Sequence, residues 1–77
     1  MIDKLSPTPL YVQVADDVQR QIEAGALEEN RPVPSENYMV QTYEVSRGTI
    51  RRAVDELRRR GLVFTVPQRG TYVTPKP

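Results

Sequence analysis

Ser46-Arg47-Gly48-Thr49-Ile50-Arg51-Arg52-Ala53-Val54-Asp55-Glu56-Leu57-Arg58-Arg59-Arg60-Gly61 is the most informative run of this chain. Ile50, Ala53, Val54 and Leu57 recur at i, i+3, i+4 and i+7, the spacing that lines one face of a helix. Ser46 can accept an amide hydrogen bond as N-cap and Gly61 can close the far end, so a half-buried helix is predicted over about 46–60. With Arg47 as origin, Arg51 falls near ~40° and Arg58 near ~20°, so three guanidinium groups share one stripe beside the apolar face and can enter one groove together. Arg52 and Arg59 lie further round, near ~140° and ~120°, where flanking phosphates are nearer than bases. Arg60 falls on the opposite flank. Arg58, Arg59 and Arg60 also complement the negative end of the helix dipole, an account that needs no ligand. Arg47 differs, because the first turn lies at the positive end of the dipole. A bound anion or base edge accounts for it better.

Upstream, Ser35 offers an N-cap and Glu36 a favourable charge for a short helix over about 36–43, with Met39, Val40 and Tyr43 as its apolar face. Joined to the arginine-rich helix only by Tyr43 to Val45, it has the spacing of a helix-turn-helix. Residues 28–34 cannot be helical, since Pro32 and Pro34 push their predecessors towards extended geometry, and 31–33 can add a strand. Further back, Thr8-Pro9 reads as N-cap and first helical position. Leu10, Val14, Val18 and Ile22, joined by Tyr11 and Ala15, make a core stripe. That helix spans roughly 9–24, with Gly25 as a left-handed cap and Leu27 folding back.

Downstream, Leu62-Val63-Phe64-Thr65-Val66 and Thr71-Tyr72-Val73-Thr74 flank the turn Pro67-Gln68-Arg69-Gly70, which predicts a hairpin with a basic tip. A lone hairpin is marginal in water and must pack on the helices. Three helices and a C-terminal wing of two or three strands make an α+β, mainly α, winged helix-turn-helix. At 77 residues the chain can bury one core, so residues 1–77 form a single domain, with its body at about 9–73 and 74–77 as linker or tail.

Composition narrows the chemistry. There is no cysteine and no histidine, which removes disulfides, thiolate metal sites and the commonest metal ligand and general base. The remaining acids and hydroxyls show no paired base and nucleophile, so neither an enzyme nor a cofactor or metal site is expected. No apolar run approaches the roughly 18 residues of a membrane span, and the N-terminus lacks a signal-peptide pattern, so a cytoplasmic location is expected. The net charge of +1 hides a division. Residues 1–45 carry Lys4, Arg20 and Arg31 against eight acids, a net of −5, whereas 46–77 carry seven arginines and Lys76 against Asp55 and Glu56, a net of +6. The second half is the expected anion-binding half.

Duplex DNA is the anion that uses all of these features. Arg47 and Arg51 are the expected base contacts, because arginine's planar fork meets guanine O6 and N7 together. Gly48 leaves the helix start bare for close backbone approach, although chance tolerance of glycine explains it as well. Ser46 and Thr49 can bond phosphate, unless capping engages the Ser46 oxygen. Arg52 is a flanking phosphate contact, and Ser35 with the first amides of its helix is another anion site. Gln68 and Arg69 in the wing suit the minor groove, the competing account being a merely solvated turn.

Together these segments resemble the GntR family of bacterial transcription regulators, in its N-terminal DNA-binding domain, from about Pro9 to Val73. The matching motifs are Pro9-Leu10-Tyr11-Val12-Gln13, Pro34-Ser35-Glu36, Val45-Ser46-Arg47-Gly48-Thr49-Ile50-Arg51 and Arg69-Gly70-Thr71-Tyr72-Val73. The Pro-Leu-Tyr opening resembles the branch that holds the histidine-utilisation repressors. The resemblance implies sequence-specific DNA binding, most often as a repressor. Ser46, Arg47, Thr49 and Arg51 would lie in the major groove, and the wing, with Gly70 and Thr71, in the minor groove. Three positions depart from the family: Asn37 stands where arginine usually follows Pro-Ser-Glu, Glu44 replaces a frequent glycine in the turn, and Gln68 replaces a common wing-tip glycine. Asn37 can still hydrogen-bond there. Family members usually continue into a C-terminal domain that binds an effector metabolite and dimerises. That domain is expected to be absent from this chain, so a monomer is expected to bind a half-site weakly, and full affinity to need two copies, as a homodimer, on an operator with two-fold symmetry. The rival expectation is a winged-helix interaction module that grips an acidic protein partner.

Overall fold

In the computed structural model, which describes residues 2–75, α1 (Leu10–Glu23), α2 (Glu36–Tyr43) and α3 (Arg47–Arg59) precede a hairpin of β1 (Val63–Val66) and β2 (Gly70–Val73). Each helix begins or ends where local chemistry directs. The Tyr38 amide donates to Ser35 Oγ at 3.1 Å and the Thr49 amide to Ser46 Oγ at 3.1 Å, so both serines cap as expected. Thr8 does not. Pro9 takes the N-cap position in extended geometry, and the Val12 and Gln13 amides go to its carbonyl. Thr8 is thereby one residue too early, and its carbonyl instead accepts from Gln13 Nε2 at 2.9 Å. α1 ends as predicted at a left-handed Gly25, φ +82°, behind which the Ala26 and Leu27 amides both donate to the Gln21 carbonyl.

The apolar stripes meet in one core. Val14, Ala15, Val18 and Ile22 of α1 pack with Ile50, Ala53 and Leu57 of α3, with Met39 and Val45 below the turn and Val63 and Val73 at the root of the wing. No polar side chain is buried among the described residues. At the margin, the half-buried Tyr43 hydroxyl donates to Asp17 Oδ2 at 2.7 Å, tying α2 to α1. That bond, ahead of Arg20 and Gln21, holds the Asp17 carboxyl below its ordinary range, while burial raises the Tyr43 phenol.

β1 and β2 pair antiparallel, Val63 with Val73 through Val66 with Gly70. β1 lacks the first residue of its predicted range, and β2 begins and ends one residue early. Leu62 stays with the helix end, its amide donating to the Leu57 carbonyl, and the Thr74 amide donates back to Leu62. Thr74 is therefore pinned and not part of a tail, whereas Lys76 and Pro77 of the predicted tail lie outside the described residues. The expected third strand is reduced to one bridge, Pro32 to Tyr72. Proline has no N–H to extend a ladder, so only the Asn30 and Val33 amides, with the Arg31 carbonyl, reach β2. At the tip, the Arg69 amide donates to the Val66 carbonyl, with Pro67 second and Gln68 third at φ +65°. This is the pattern of a type II turn, whose third position favours glycine.

Glu44 closes α2 in the left-handed region at φ +55°, ψ +46°. A side chain there costs about 1–2 kcal/mol, and glycine returns about 0.4–1 kcal/mol of that through the freer unfolded chain. Glu44→Gly is expected to stabilise the domain by about 0.5–1 kcal/mol, raising the melting midpoint by a few degrees in a calorimetric scan. The Lys4 bond across this cap goes to the Glu44 carbonyl and survives the change.

Candidate nucleic-acid interface

α3 is held by its apolar face, so its arginines stand on the surface, and the neighbours that tertiary packing gives them determine their posture. Arg47 Nη1 donates to Glu36 Oε1 at 2.6 Å and its Nη2 to Asn37 Oδ1 at 2.6 Å. Arg51 reaches the same carboxylate through Nε at 2.9 Å and Nη2 at 3.3 Å. Glu36, the first residue of α2 after the Ser35 cap, thus joins both expected base-reading arginines at the junction of α2 and α3. The Arg51 guanidinium, then that of Arg47, keeps its carboxyl below the ordinary range. The two arginines remain open to solvent, with side chains 48% and 67% exposed, and the wing does not cover them.

The charge expected to need an external anion at Arg47 has an internal one. The positive dipole end around Arg47 is offset by an internal anion, Glu36, so its position does not by itself require an external one. Ser46 Oγ, already capping, also lies 3.0 Å from Thr49 Oγ1, so the two hydroxyls engage each other at the surface. A Cβ on Gly48 would meet only Ser46 Oγ at 3.9 Å, so internal packing does not demand glycine there.

The expected three-arginine stripe is also corrected. Arg58 turns towards the wing, where its Nη1 donates to Thr65 Oγ1 at 2.6 Å, and it pairs with Asp55 one turn back. Arg52 lies on the α1 side, its guanidinium 4.1 Å from the Tyr11 ring centroid. Arg60 faces inward to Asp16 and Gln19 of α1 at 2.8 and 2.9 Å, which makes it a tether between helices. Exposed Gln68, Arg69 and Gly70 stand at the wing tip, where Arg69 makes no ion pair with another described residue. Thr71 faces a groove of about 400 Å³ between α3 and the wing, shared with Glu36, Met39, Ile50, Arg51 and Arg58.

Reading the residues alone missed Glu36 and Glu56 as organisers. Glu56 takes Arg59 Nη2 at 2.6 Å and Arg60 Nε at 2.9 Å, and these two guanidinium groups, Arg59 first, bring its carboxyl down from 4.5 to about 2. The i,i+3 and i,i+4 spacing was a usable signal. A depressed carboxyl pKa stabilises the folded state above the unfolded value, and that contribution is lost as pH falls through the folded one. Glu56→Gln is therefore expected to lower the neutral-pH melting midpoint and to flatten its decline between about pH 5 and pH 2, followed by thermal melts across that range.

Comparison with known proteins agrees with this architecture. The family model for bacterial regulatory proteins of the gntR family matches residues 10–73. The HTH-type transcriptional repressor NagR of Bacillus subtilis (strain 168) is 37% identical over 73 residues, which is 95% of this chain and 30% of NagR. The histidine utilization repressor of Pseudomonas aeruginosa is 40% identical over 67 residues, 87% of this chain and 27% of that repressor. This chain therefore spans less than a third of either relative's length. The crystal structure of AraR(DBD) in complex with operator ORX1 superposes with a TM-score of 0.84 at 34% identity, covering 96% of this chain and 92% of that one. Three helices and a wing, capping serines ahead of α2 and α3, and a family match from the first helix to the last strand agree on one assignment: this chain belongs to the GntR family of bacterial regulatory proteins.

Proposed function

We propose that this domain binds double-stranded DNA sequence-specifically and serves in transcriptional regulation, as a repressor. The observation that carries the reading is the pair Arg47 and Arg51, solvent-open on α3 and arranged side by side by Glu36. In this reading α3 enters the major groove, Arg47 and Arg51 meet base edges, and bare Gly48 allows the backbone close to the duplex. Ser46, Thr49 and Arg52 bond phosphates, and Ser35 with the α2 amides forms a further phosphate site. Gln68, Arg69, Gly70 and Thr71 serve the minor groove. Asn37 contributes by holding Arg47, in place of the charge usual at its position. Repression is supported by the names of the relatives, and binding to an operator by that of the AraR complex. Dimerisation on two-fold related half-sites, and response to an effector through a further domain, belong to the same proposal.

Selection from random duplex DNA, followed by anisotropy titrations of the winning and a scrambled duplex at several salt concentrations, tests it. Selective binding with a steep salt dependence is the expected result. Equal binding of both duplexes would refute operator recognition and favour the rival module for acidic partners.

A further inference from the structure

We propose that Arg58 is a positioning residue: it straps the middle of the wing to α3 and so sets where the wing tip stands relative to the reading helix. The proposal rests on the DNA-binding reading above, but its structural half can be tested without DNA. Arg58 Nη1 donates to Thr65 Oγ1 at 2.6 Å, and that hydroxyl lies 3.0 Å from Thr71 Oγ1, its cross-strand partner. The Thr71 carbonyl accepts the Val33 amide at 3.0 Å, just before the Pro34-Ser35 start of α2. One guanidinium therefore links α3 to both strands and, through β2, to the segment that launches α2. Asp55 holds the other terminal nitrogen, which fixes the direction of the fork.

The wing needs such a strap because its apolar anchoring ends at its root. Val63 and Val73 are buried, but Phe64, Thr65, Pro67, Gln68, Arg69 and Gly70 are all exposed. Segment 30–33 holds β2 as far as Thr71, but among the described residues β1 has no backbone neighbour beyond Val63 except β2; over the ~13 Å from Val63 to the tip, at ~3.3 Å per residue, a ~10° tilt moves the tip about 2 Å. That is more than a hydrogen bond tolerates.

A direct DNA contact is the rival role, and the geometry favours the strap. Arg58 is less exposed than the arginines read as DNA contacts, its side chain 39% against 48% for Arg47 and 67% for Arg51, and unlike theirs its guanidinium is bonded to the wing. Its wing partner is a neutral hydroxyl, so the bond can be removed without touching the charge.

Thr65→Val does that while keeping a β-branched residue in the strand. In the DNA-free chain, residual dipolar couplings of the amides of residues 64–72, measured against those of α3, are expected to change in Thr65→Val and in Arg58→Ala alike. Unchanged couplings in either variant would overturn the proposal. On the selected duplex, Thr65→Val is expected to weaken binding about fivefold, the scale of one lost hydrogen bond, with the salt slope unaltered. The loss caused by Arg69→Ala should shrink when Thr65→Val is already present. Strictly additive losses, or a salt slope lowered by about one in Arg58→Ala with Thr65→Val silent, would overturn the strap and make Arg58 a phosphate ligand. Altered couplings in a chain that binds no duplex would support the strap and refute the DNA-binding reading.

Discussion

Arg51→Ala is expected to weaken binding of the selected duplex by roughly 5- to 150-fold, about 1–3 kcal/mol, while leaving the scrambled duplex within about twofold. Glu36 occupies the Nε and Nη2 edge of Arg51, so the guanidinium is oriented before DNA arrives and Nη1 stays open. Orientation fixed in advance lowers the ordering cost of binding. Arg47 has one N–H of each terminal nitrogen engaged, by Glu36 and Asn37, so only the remaining N–H of each can meet a base unless a partner is released. Its truncation is therefore expected to cost less than that of Arg51, though it too should act on the ratio of the two affinities. Arg52→Ala and Arg59→Ala serve as controls, expected to weaken both duplexes alike and to flatten the salt dependence. Equal losses on both duplexes from all four substitutions would remove the base-reading role from α3.

Leu57→Ala is expected to destabilise the fold by about 2–5 kcal/mol, comparable with the entire stability of a domain this small, roughly 4–12 kcal/mol at ~0.05–0.15 kcal/mol per residue. Leu57 is 2% exposed in the cluster that α1 and α3 share, and its carbonyl accepts the Leu62 amide that turns the chain into the wing. Truncation there opens a cavity against α1 and loosens the base of β1 together. Urea unfolding followed by circular dichroism measures the loss. A change below about 1 kcal/mol would mean that the site collapses to fill the gap and that the core is less tightly specified than its burial indicates.

The features legible in the residues are those that depend on near neighbours along the chain. Ser35 and Ser46 as caps, the bounds of α2, the left-handed end at Gly25 and the apolar stripes through Val18 and Leu57 all follow from interactions spanning a few residues. The hairpin followed from strand propensity and its turn, although the turn was built with Gln68 where glycine is easiest. Errors arose where one residue had two acceptable local roles. Thr8 and Pro9 compete for a single cap, and Pro32 can sit beside a strand without extending it.

The posture of the charged surface was not legible in the same way. An arginine stripe on a helical wheel states which way each side chain leaves α3, not what it meets. Arg47 and Arg51 meet a carboxylate 11 and 15 residues away, Arg58 a hydroxyl 7 residues on, and Arg60 an aspartate 44 residues back. Local order in the chain thus specified the helices, their caps, the apolar faces and the segregation of charge, because capping and periodicity act within one or two turns. Folding alone assigned each guanidinium its partner, because long flexible side chains choose among groups that only packing brings within a few ångströms.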